Sequence, residues 1–276
     1  MEKEIDILLA TYNGEKYLAE QLDSLFSQTN QNFNVLIRDD SSNDKTLDII
    51  KEYQNKYQSR IKFIEDNSEN LGSSKSFMKL LEYSDSEYIM FCDQDDIWLP
   101  DKIETSFKKI KNLENNYTDN TPLLVFTDLK VVDKNLQILK NSFWNYQKLI
   151  PELSKDWKKL LAQNVVTGCT MIINKKAKDV CLPFELPMMI HDQWIAVNIA
   201  KYGKVDYLNE QTILYRQHDS NVAGAHSFGF KYLKNKVLDI KTILEYQKKA
   251  SKYFEDIGIL SLLYFKIVIN IKRLLK

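Results

Sequence analysis

Four short apolar runs decide the fold class: Glu4-Ile-Asp-Ile-Leu-Leu-Ala10, Asn34-Val-Leu-Ile-Arg38, Arg60 to Glu65 and Glu87-Tyr-Ile-Met-Phe-Cys92. Between them, apolar residues recur at helical spacing over Lys16 to Gln28, Thr46 to Tyr57 and Ser73 to Tyr83. Strands separated by helical segments of this length are typical of a parallel sheet with crossover helices. The first hundred residues therefore predict an α/β fold with a mostly parallel central sheet flanked by helices.

The pattern is looser after Pro100, although helices and strands still alternate. We expect helices over Asp101 to Glu114, Trp157 to Gln163 and Gln193 to Tyr202, and strands over Leu123 to Val132, Val165 to Ile173 and Asp206 to Tyr215. From Phe228 onward the chain is rich in lysine, and its apolar residues recur at helical spacing. These patterns predict a domain over residues 1–227 and a basic amphipathic helical tail over residues 228–276.

Composition excludes several classes of protein. The 276 residues include 38 Lys+Arg and 38 Asp+Glu, and the hydrophobic fraction of 44% is ordinary for a globular chain. Without a positive excess there is no electrostatic case for binding nucleic acid. Three cysteines are too few and too scattered for a disulfide framework or a CxxC zinc site.

Two features of the sequence bear on localisation. The first residues lack the positive charge and apolar run of a secretory signal. The longest apolar stretch, Ile257 to Ile271, is interrupted by Lys266 and Asn270 and is too short to cross a bilayer. We therefore expect a cytoplasmic protein, with the tail as the segment that can reach the inner face of the cell membrane.

Polar and acidic clusters follow three of the predicted strands: Thr11-Tyr-Asn-Gly14, Asp39-Asp-Ser-Ser-Asn-Asp44 and Asp93-Gln-Asp-Asp96. In open parallel sheets, ligands bind at the carboxyl ends of the strands. Crowded carboxylates need a compensating cation, and Mg²⁺ prefers one or two carboxylates together with substrate phosphates. The alternative is that each cluster only caps the following helix. Three clusters on one edge favour a site for a cation and a phosphate.

Spacing excludes two other kinds of site. A calcium-binding EF-hand loop starting at Asp93 would need an oxygen ligand and then Gly where the chain has Ile97 and Trp98. No GxGxxG or GxxxxGK[ST] motif follows a strand, so neither a Rossmann dinucleotide site nor a P-loop is supported. The phosphates of a bound nucleotide would therefore be held by a metal ion.

Four motifs in this order resemble glycosyltransferase family 2, whose members have the GT-A fold: Ala10-Thr-Tyr-Asn-Gly14, Arg38-Asp-Asp-Ser-Ser-Asn-Asp44, Asn70-Leu-Gly72 and Asp93-Gln-Asp-Asp-Ile-Trp98. Further segments resemble the bacterial rhamnosyltransferase-like branch of that family: Val165-Val-Thr-Gly-Cys-Thr170, His191-Asp-Gln-Trp194 and Tyr215-Arg-Gln-His218. The resemblance implies a GT-A domain that binds a nucleotide-diphosphate sugar, followed here by the helical tail.

The resemblance also implies roles for residues at the strand ends. Asp93 and Asp95 match the DxD pair, in which Asp95 would bind Mn²⁺ or Mg²⁺ on the diphosphate and Asp93 would lie near the ribose or the metal. His218 is a further candidate metal ligand, although a lone histidine is more often a packing or surface residue. Tyr12 and Asp40 match positions that contact the nucleotide base. The other predicted nucleotide- and donor-binding residues are Thr11, Asn13, Asp39, Asn70, Gly72, Ser74 and Gln94.

Asp192 matches the position of the family's catalytic base, although His191 precedes it where the family usually has Glu. The alternative is that Asp192 caps the helix that follows it. Secondary candidates are His191 itself, Arg216 as a contact of the diphosphate, and Trp98 and Trp194 as platforms for a sugar ring. Aromatic residues at such positions are more often part of the core.

These features predict a metal-dependent inverting glycosyltransferase that moves a single sugar in bacterial cell-surface polysaccharide synthesis. The predicted donor is dTDP-rhamnose or a UDP-sugar, with rhamnose favoured, and the acceptor is a saccharide or a lipid-linked sugar. The QxxRW motif of processive members is absent, which favours one transfer per encounter. The alternative is a non-catalytic scaffold that docks on a membrane-bound assembly complex. The tail is predicted to bind an anionic membrane surface or to pack on the domain or on a second copy in a homo-oligomer.

Overall fold

The computed structural model describes residues 4–66, 68–186, 188–218, 228 and 240–276. The strands within these residues are β1 (Ile5–Thr11), β2 (Phe33–Asp39), β3 (Ile61–Phe63), β4 (Tyr88–Asp93), β5 (Ile97–Trp98), β6 (Leu123–Val132), β7 (Ile138–Lys140), β8 (Ile172–Asn174) and β9 (Lys204–Arg216). They form one mixed sheet in the order β3-β2-β1-β4-β8-β6-β9-β5, and β7 pairs with β6.

Helices cover the sheet and extend into the tail. They are α1 (Leu18–Phe26), α2 (Thr46–Lys56), α3 (Ser73–Tyr83), α4 (Lys102–Glu114), α5 (Phe143–Tyr146), α6 (Trp157–Ala162), α7 (Lys176–Cys181), α8 (His191–Tyr202), α9 (Ile240–Tyr253) and α10 (Ile259–Leu275). Short 3₁₀ turns lie at Pro151–Lys155 and Gly168–Thr170. The α/β architecture with a C-terminal helical segment is therefore as predicted.

The first half of the sheet is parallel, and its central strand β1 is buried on both faces, as is typical of parallel sheets. Ile5, Ile7, Leu8 and Leu9 of β1 are fully buried, as expected for a central strand covered by helices on each side. β1 pairs in parallel with β2 and with β4, so the carboxyl ends of these three strands lie at one edge. This edge carries the polar clusters.

Part of the second half differs from the predicted pattern. Val165 to Ile173 is not one strand: Gly168–Thr170 forms a 3₁₀ turn, and only Ile172–Asn174 pairs, antiparallel to β4 and β6. The apolar run predicted a strand, but the Gly168 amide bonds a carboxylate instead of a strand partner. The two-residue strand β5, which the sequence pattern did not predict, pairs with β9.

The described part of the tail packs on the domain. The rings of Tyr253 and Phe254 lie 5.4 and 6.4 Å from that of Trp194 on α8. Lys266 Nζ donates a hydrogen bond to Ala162 O at the end of α6, at 2.9 Å. Of the predicted alternatives, packing on the domain is therefore present. The boundary near Ser227 and the helix predicted to follow Phe228 lie outside the described residues. No helix in the described part of the chain is both long and apolar enough to cross a membrane.

Gly203 is required by a close approach of backbone at the junction of α8 and β9. A Cβ at this position would lie 2.0 Å from the carbonyl oxygen of Pro122, which accepts a hydrogen bond from Lys204 N. We expect Gly203→Ala to lower the free energy of unfolding by about 1–3 kcal/mol or more, because backbone must move to make room. Urea denaturation measures this change.

Gly258→Ser is the matched control, since no atom lies within 4 Å of a Cβ built there and serine is favoured at the N-cap position that Gly258 occupies before α10. It should change the free energy of unfolding by no more than about 0.5 kcal/mol. Equal losses in the two variants would contradict the steric explanation.

Candidate active site

The register of the parallel strands brings the ends of β1, β2 and β4 together. Thr11 pairs with Asp39, and Ala10 pairs with Asp93. Thr11 Oγ1 donates to Asp39 Oδ1 at 2.8 Å, and Ser42 Oγ donates to the same oxygen at 2.6 Å. The half-buried Asp39 carboxylate is thereby fixed at the end of its strand.

Gln94 holds the loop after β1 in place. Tyr12 N donates to Gln94 Oε1, and Gln94 Nε2 donates to Tyr12 O, both at 2.9 Å. A Cβ on Gly14 would lie 2.3 Å from Gln94 Oε1, so glycine leaves room for this side chain. Asn13 has a φ of +48° and donates its amide to Ser42 Oγ at 2.8 Å. This loop leaves the Tyr12 side chain 49% exposed, as stacking on a base requires.

Asp40 is engaged inside the protein. Its Oδ1 accepts from Arg38 Nη1 at 2.6 Å and from Leu71 N at 2.7 Å, and its Oδ2 accepts from Gly72 N at 2.7 Å. Burial acts to raise the pKa of Asp40, but the Leu71 amide, the Arg38 guanidinium and the Gly72 amide together hold it below its usual value. These bonds fill three of the roughly four acceptor positions of the carboxylate, so its contact with a nucleotide base stays a prediction. Through the Leu71 and Gly72 amides, Asp40 also shapes the turn at 70–72.

That turn carries the next predicted residues. Asn70 Nδ2 donates to Asp40 O at 3.1 Å, and Gly72 has a φ of +78°, which favours glycine. Ser74, in the first turn of α3, accepts a hydrogen bond from His191 N at 3.3 Å. The start of α3 is thus tied to the start of α8, on which Asp192 lies.

Asp95 and His218 lie together. Their Oδ2 and Nε2 atoms are 2.8 Å apart, and the His218 ring packs on that of Tyr17 with centroids 4.8 Å apart. Arg216 Nε donates to Asp95 O at 2.9 Å, which joins β9 to the loop after β4. The structure therefore places two of the predicted metal ligands, Asp95 and His218, within reach of one ion.

A buried acidic cluster lies beside this pair. One ligand atom each from Asp93, Asp96 and Cys169 lie within 4.8 Å of one another. Burial and the negative charges of Asp95 and Asp192 raise the pKa of Asp93 to about 7. Burial and the charges of Asp95 and Asp93 raise that of Asp96 well above its usual value. A divalent cation would relieve this excess of negative charge.

Asp192 lies in the first turn of α8, and Ile190 occupies the N-cap position, so the capping alternative is wrong. Its Oδ2 accepts from Gly168 N at 3.2 Å, and its Oδ1 accepts from Asn164 Nδ2 at 3.0 Å. Burial raises the pKa of Asp192 to about 7 against these hydrogen bonds. A carboxylate with a pKa near the operating pH is suited to act as a general base.

The 3₁₀ turn at Gly168–Thr170 connects the two groups of carboxylates. Gly168 donates its amide to Asp192, and the Sγ atom of the next residue, Cys169, lies within 4.8 Å of carboxylate oxygens of Asp93 and Asp96. The charge of Asp192 also raises the pKa of Asp93. Asp192 and Asp93 are therefore close enough for one charge to affect the other, and their shared role in one site stays a prediction. Sequence reasoning missed the part played by Cys169, because its neighbours Val165 and Val166 favoured a strand.

The two tryptophan candidates are corrected by their burial. Trp98 is 2% exposed and Trp194 is 1% exposed. Trp194 donates its indole N–H to Cys181 O at 2.7 Å and packs against Tyr253 of the tail. Neither ring is available to a sugar, because each is part of the core.

His191 and Arg216 also have structural positions. The His191 ring stacks on Phe77 with centroids 4.4 Å apart, and burial lowers its pKa to about 3, so it is neutral. Arg216 is buried and donates to the backbone of Asp95 and Lys134 and to the carboxylate of Glu20. The predicted contact of Arg216 with a diphosphate does not fit these bonds.

The family model described as "Glycosyl transferase family 2" matches residues 6–181. The dTDP-rhamnosyl transferase RfbG of Shigella flexneri is 32% identical over 253 residues, which cover 88% of this chain and 82% of RfbG. The UDP-Glc:alpha-D-GlcNAc-diphosphoundecaprenol beta-1,3-glucosyltransferase WfgD of Escherichia coli is 27% identical over 235 residues, or 83% of this chain and 82% of WfgD.

Solved structures agree on the fold. The mannosyltransferase PcManGT of Pyrobaculum calidifontis, in complex with GDP-Man and Mn²⁺, has a TM-score of 0.62 at 13% identity, covering 98% of this chain and 74% of that one. TarS 1-349 of S. aureus, in complex with UDP-GlcNAc, has a TM-score of 0.57 at 22% identity. The match covers 79% of this chain and 60% of the TarS chain. These likenesses show the GT-A fold.

Removing the Asp40 carboxylate tests its structural role. Asp40→Ala leaves the buried Arg38 guanidinium and two backbone amides short of an acceptor, so we expect a loss of about 3–5 kcal/mol of stability. Glu82→Ala, which removes the exposed ion pair with Lys79, should cost less than about 1 kcal/mol. Chemical denaturation at pH 7 measures both.

The difference in stability between the wild type and Asp40→Ala should depend on pH. Because the folded-state pKa of Asp40 is lowered, its contribution is complete above the unfolded pKa of about 4 and is lost as the pH falls through the folded value. The stability gap between the wild type and Asp40→Ala should therefore narrow below about pH 4. A gap that widened in acid would show that the carboxylate does not carry the effect.

Proposed function

The chain belongs to glycosyltransferase family 2 and is a glycosyltransferase, and from this premise we propose that it transfers one sugar from a nucleotide-diphosphate donor with inversion at the anomeric carbon. The observation that supports the proposal is the nearness of Asp192 and Asp95 to Asp93, since the charges of both raise the pKa of Asp93. One side of the proposed site holds the diphosphate, and the other holds the base that activates the acceptor.

The donor nucleotide lies along the loops after β1 and β2. The exposed ring of Tyr12 stacks on the base, and the turn at 70–72 forms the opposite wall. The donor is dTDP-rhamnose or a UDP-sugar, and rhamnose is favoured because RfbG, named a dTDP-rhamnosyl transferase, matches over most of both chains. The activity serves the assembly of a bacterial cell-surface polysaccharide.

A divalent cation fits the residues beside the diphosphate. Asp95 Oδ2 and His218 Nε2, which are 2.8 Å apart, form a donor pair that suits Mn²⁺ or Mg²⁺, and Asp93 lies in the neighbouring group with Asp96 and Cys169. The raised pKa of Asp93 shows that this position favours added positive charge. When bound, the ion supplies electrostatic stabilisation of the charge that develops on the leaving diphosphate.

Asp192 receives the proton of the acceptor hydroxyl. As that oxygen forms its bond to the anomeric carbon, the bond from this carbon to the phosphate oxygen breaks, and the electron pair leaves with the diphosphate. Asn164 and the Gly168 amide orient the Asp192 carboxylate for this transfer. Attack from the face opposite the leaving group inverts the anomeric centre. The scaffold alternative has less support, because relatives over most of the chain are named as sugar transferases.

Substitution of the two key carboxylates separates their roles. Asp192→Asn should lower turnover by about 10²–10⁴-fold with little change in donor affinity, because only the base is lost. Asp95→Ala should weaken Mn²⁺-dependent binding of the donor. Turnover is measured as release of nucleoside diphosphate from dTDP-rhamnose or UDP-glucose, and affinity is measured by calorimetry.

Asp119→Asn, at an exposed position, is the control and should behave as the wild type. In the wild type, turnover should rise with pH as the Asp192 carboxyl ionises, and this rise should be absent in Asp192→Asn. Full turnover in both site variants would rule out the mechanism.

We further propose that α10 binds the anionic inner surface of the cell membrane. One of its faces carries apolar side chains that are between 37% and 79% exposed: Leu260, Tyr264, Ile267, Ile271 and Leu274, here called the α10 stripe. They recur at helical spacing, while Leu262 and Ile269 on the other face are buried against the domain. Exposed Lys272 and Lys276 flank the stripe, and residues 240–276 contain eight Lys or Arg against three Asp or Glu. This combination favours an anionic bilayer.

Cosedimentation with vesicles tests the membrane proposal. The wild type should bind vesicles containing phosphatidylglycerol more tightly than phosphatidylcholine vesicles, and salt should weaken binding. Ile267→Gln with Ile271→Gln should reduce vesicle binding about tenfold or more, because two aliphatic side chains that insert into the bilayer are lost. Ile138→Gln with Leu139→Gln, at exposed positions on β7, should not. The proposal would be overturned if the protein dimerised through the α10 stripe, as measured by sedimentation velocity, and did not bind vesicles.

A further inference from the structure

A cavity of about 310 Å³ lies where the tail meets the domain. Its walls come from the end of α6, the start of α8, and the tail helices α9 and α10. The polar side chains on these walls include Asn164, Gln193, Tyr246 and Gln247. Its volume is at the lower end of the range for small-molecule sites, about 300–1,000 Å³. It therefore has room for roughly one sugar ring.

The cavity adjoins Asp192. Asn164, which lines it, donates its side-chain amide to Asp192 Oδ1. Gln193, the next residue after Asp192, accepts a hydrogen bond from Tyr246 Oη at 2.9 Å. Burial, and then the charge of Asp192, raise the pKa of Tyr246. A group bound in this cavity is therefore close to the proposed base.

One polar atom in the wall lacks a partner. Gln247 is 2% exposed, and its Oε1 has no hydrogen-bond partner among the described residues. A buried acceptor without a partner destabilises the protein, which is a reason to expect a donor from a ligand. The Gln193 side chain, by contrast, is fully used: its Nε2 donates to Leu160 O and Leu161 O, and its Oε1 accepts from Tyr246.

We propose that this cavity is the acceptor subsite, and that it binds the sugar ring of the acceptor through a hydroxyl that donates to Gln247 Oε1. The inference rests on the proposed function, because the ring must present a second hydroxyl to Asp192. It assigns to the tail a specificity-determining role: α9 contributes Tyr246 and Gln247 to a site whose base lies on α8. The hydroxyl-rich chemistry of a saccharide matches the amide and phenol groups on the walls.

Binding of simple glycosides tests the proposal without knowledge of the natural acceptor. The probes are methyl α-L-rhamnoside, methyl α-D-glucoside and methyl N-acetyl-α-D-glucosaminide, titrated by NMR with Mn²⁺ and whichever of UDP, dTDP and GDP binds. At least one glycoside should bind the wild type. Gln247→Met, which keeps the length of the side chain and removes the acceptor, should weaken that binding about five- to tenfold. Thr242→Trp, at an exposed position in the cavity wall, should block the entrance.

Nucleotide binding separates the failure of this inference from that of the proposed function. Both variants should bind the nucleoside diphosphate as the wild type does, which also shows that they are folded. Gln54→Met on α2 is the matched control and should bind the glycoside normally. Nucleotide binding with no glycoside binding, or with equal glycoside affinity in all variants, would overturn the acceptor subsite alone. If the wild type bound none of the nucleoside diphosphates, both the proposed function and this inference would be overturned.

Discussion

One short turn links the two groups of carboxylates in the candidate site. Gly168 donates its amide to Asp192, and the Sγ atom of the adjacent Cys169 lies within 4.8 Å of carboxylate oxygens of Asp93 and Asp96. Through this turn the carboxylates at the end of β4 and at the start of α8 lie near one another, although about a hundred residues separate them in the chain. Everything proposed for the chemistry depends on this juxtaposition, because a bound diphosphate and a general base must act on opposite faces of the same carbon.

Two kinds of carboxylate lie near the same sheet edge, and the surroundings of each indicate its role. Asp40 has two amide donors and the Arg38 guanidinium, which it shares with Asp66, so its pKa is lowered and it stabilises a turn. Asp93 is half-buried and Asp192 is buried, each with too little compensation, so the pKa of each is raised to about 7. Groups perturbed in this way are typical of catalytic and metal-binding sites. The protein thus stabilises one carboxylate internally and leaves the other two for ligands.

The sequence predicted the α/β half of the fold, because buried parallel strands and amphipathic helices leave clear periodic signals. The resemblance carried by its motifs also predicted Asp95 and His218 as metal ligands, and the structure brings these two side chains together. The role of Asp192 as the catalytic base stays a prediction. The sequence did not predict the turn at Gly168–Thr170, where bonds to distant carboxylates override the local strand preference. Nor did it predict the burial of Trp194, because the helix face that covers this ring lies some sixty residues farther along the chain. The sequence did not predict the cavity at Gln247 either, because helices distant from one another in the chain form its walls.

A crystal structure with a nucleoside diphosphate and Mn²⁺ tests the central claim most directly. The account predicts the ion bonded to Asp95, the base against the Tyr12 ring, and the terminal phosphate in the crevice that Asp192 faces. The molecule also has a second candidate position for a nucleotide, an open groove lined by Lys16, Lys45 and Glu52. A nucleotide bound in that groove, or a diphosphate bound at Asp95 with Asp192 directed away from it, would contradict the account.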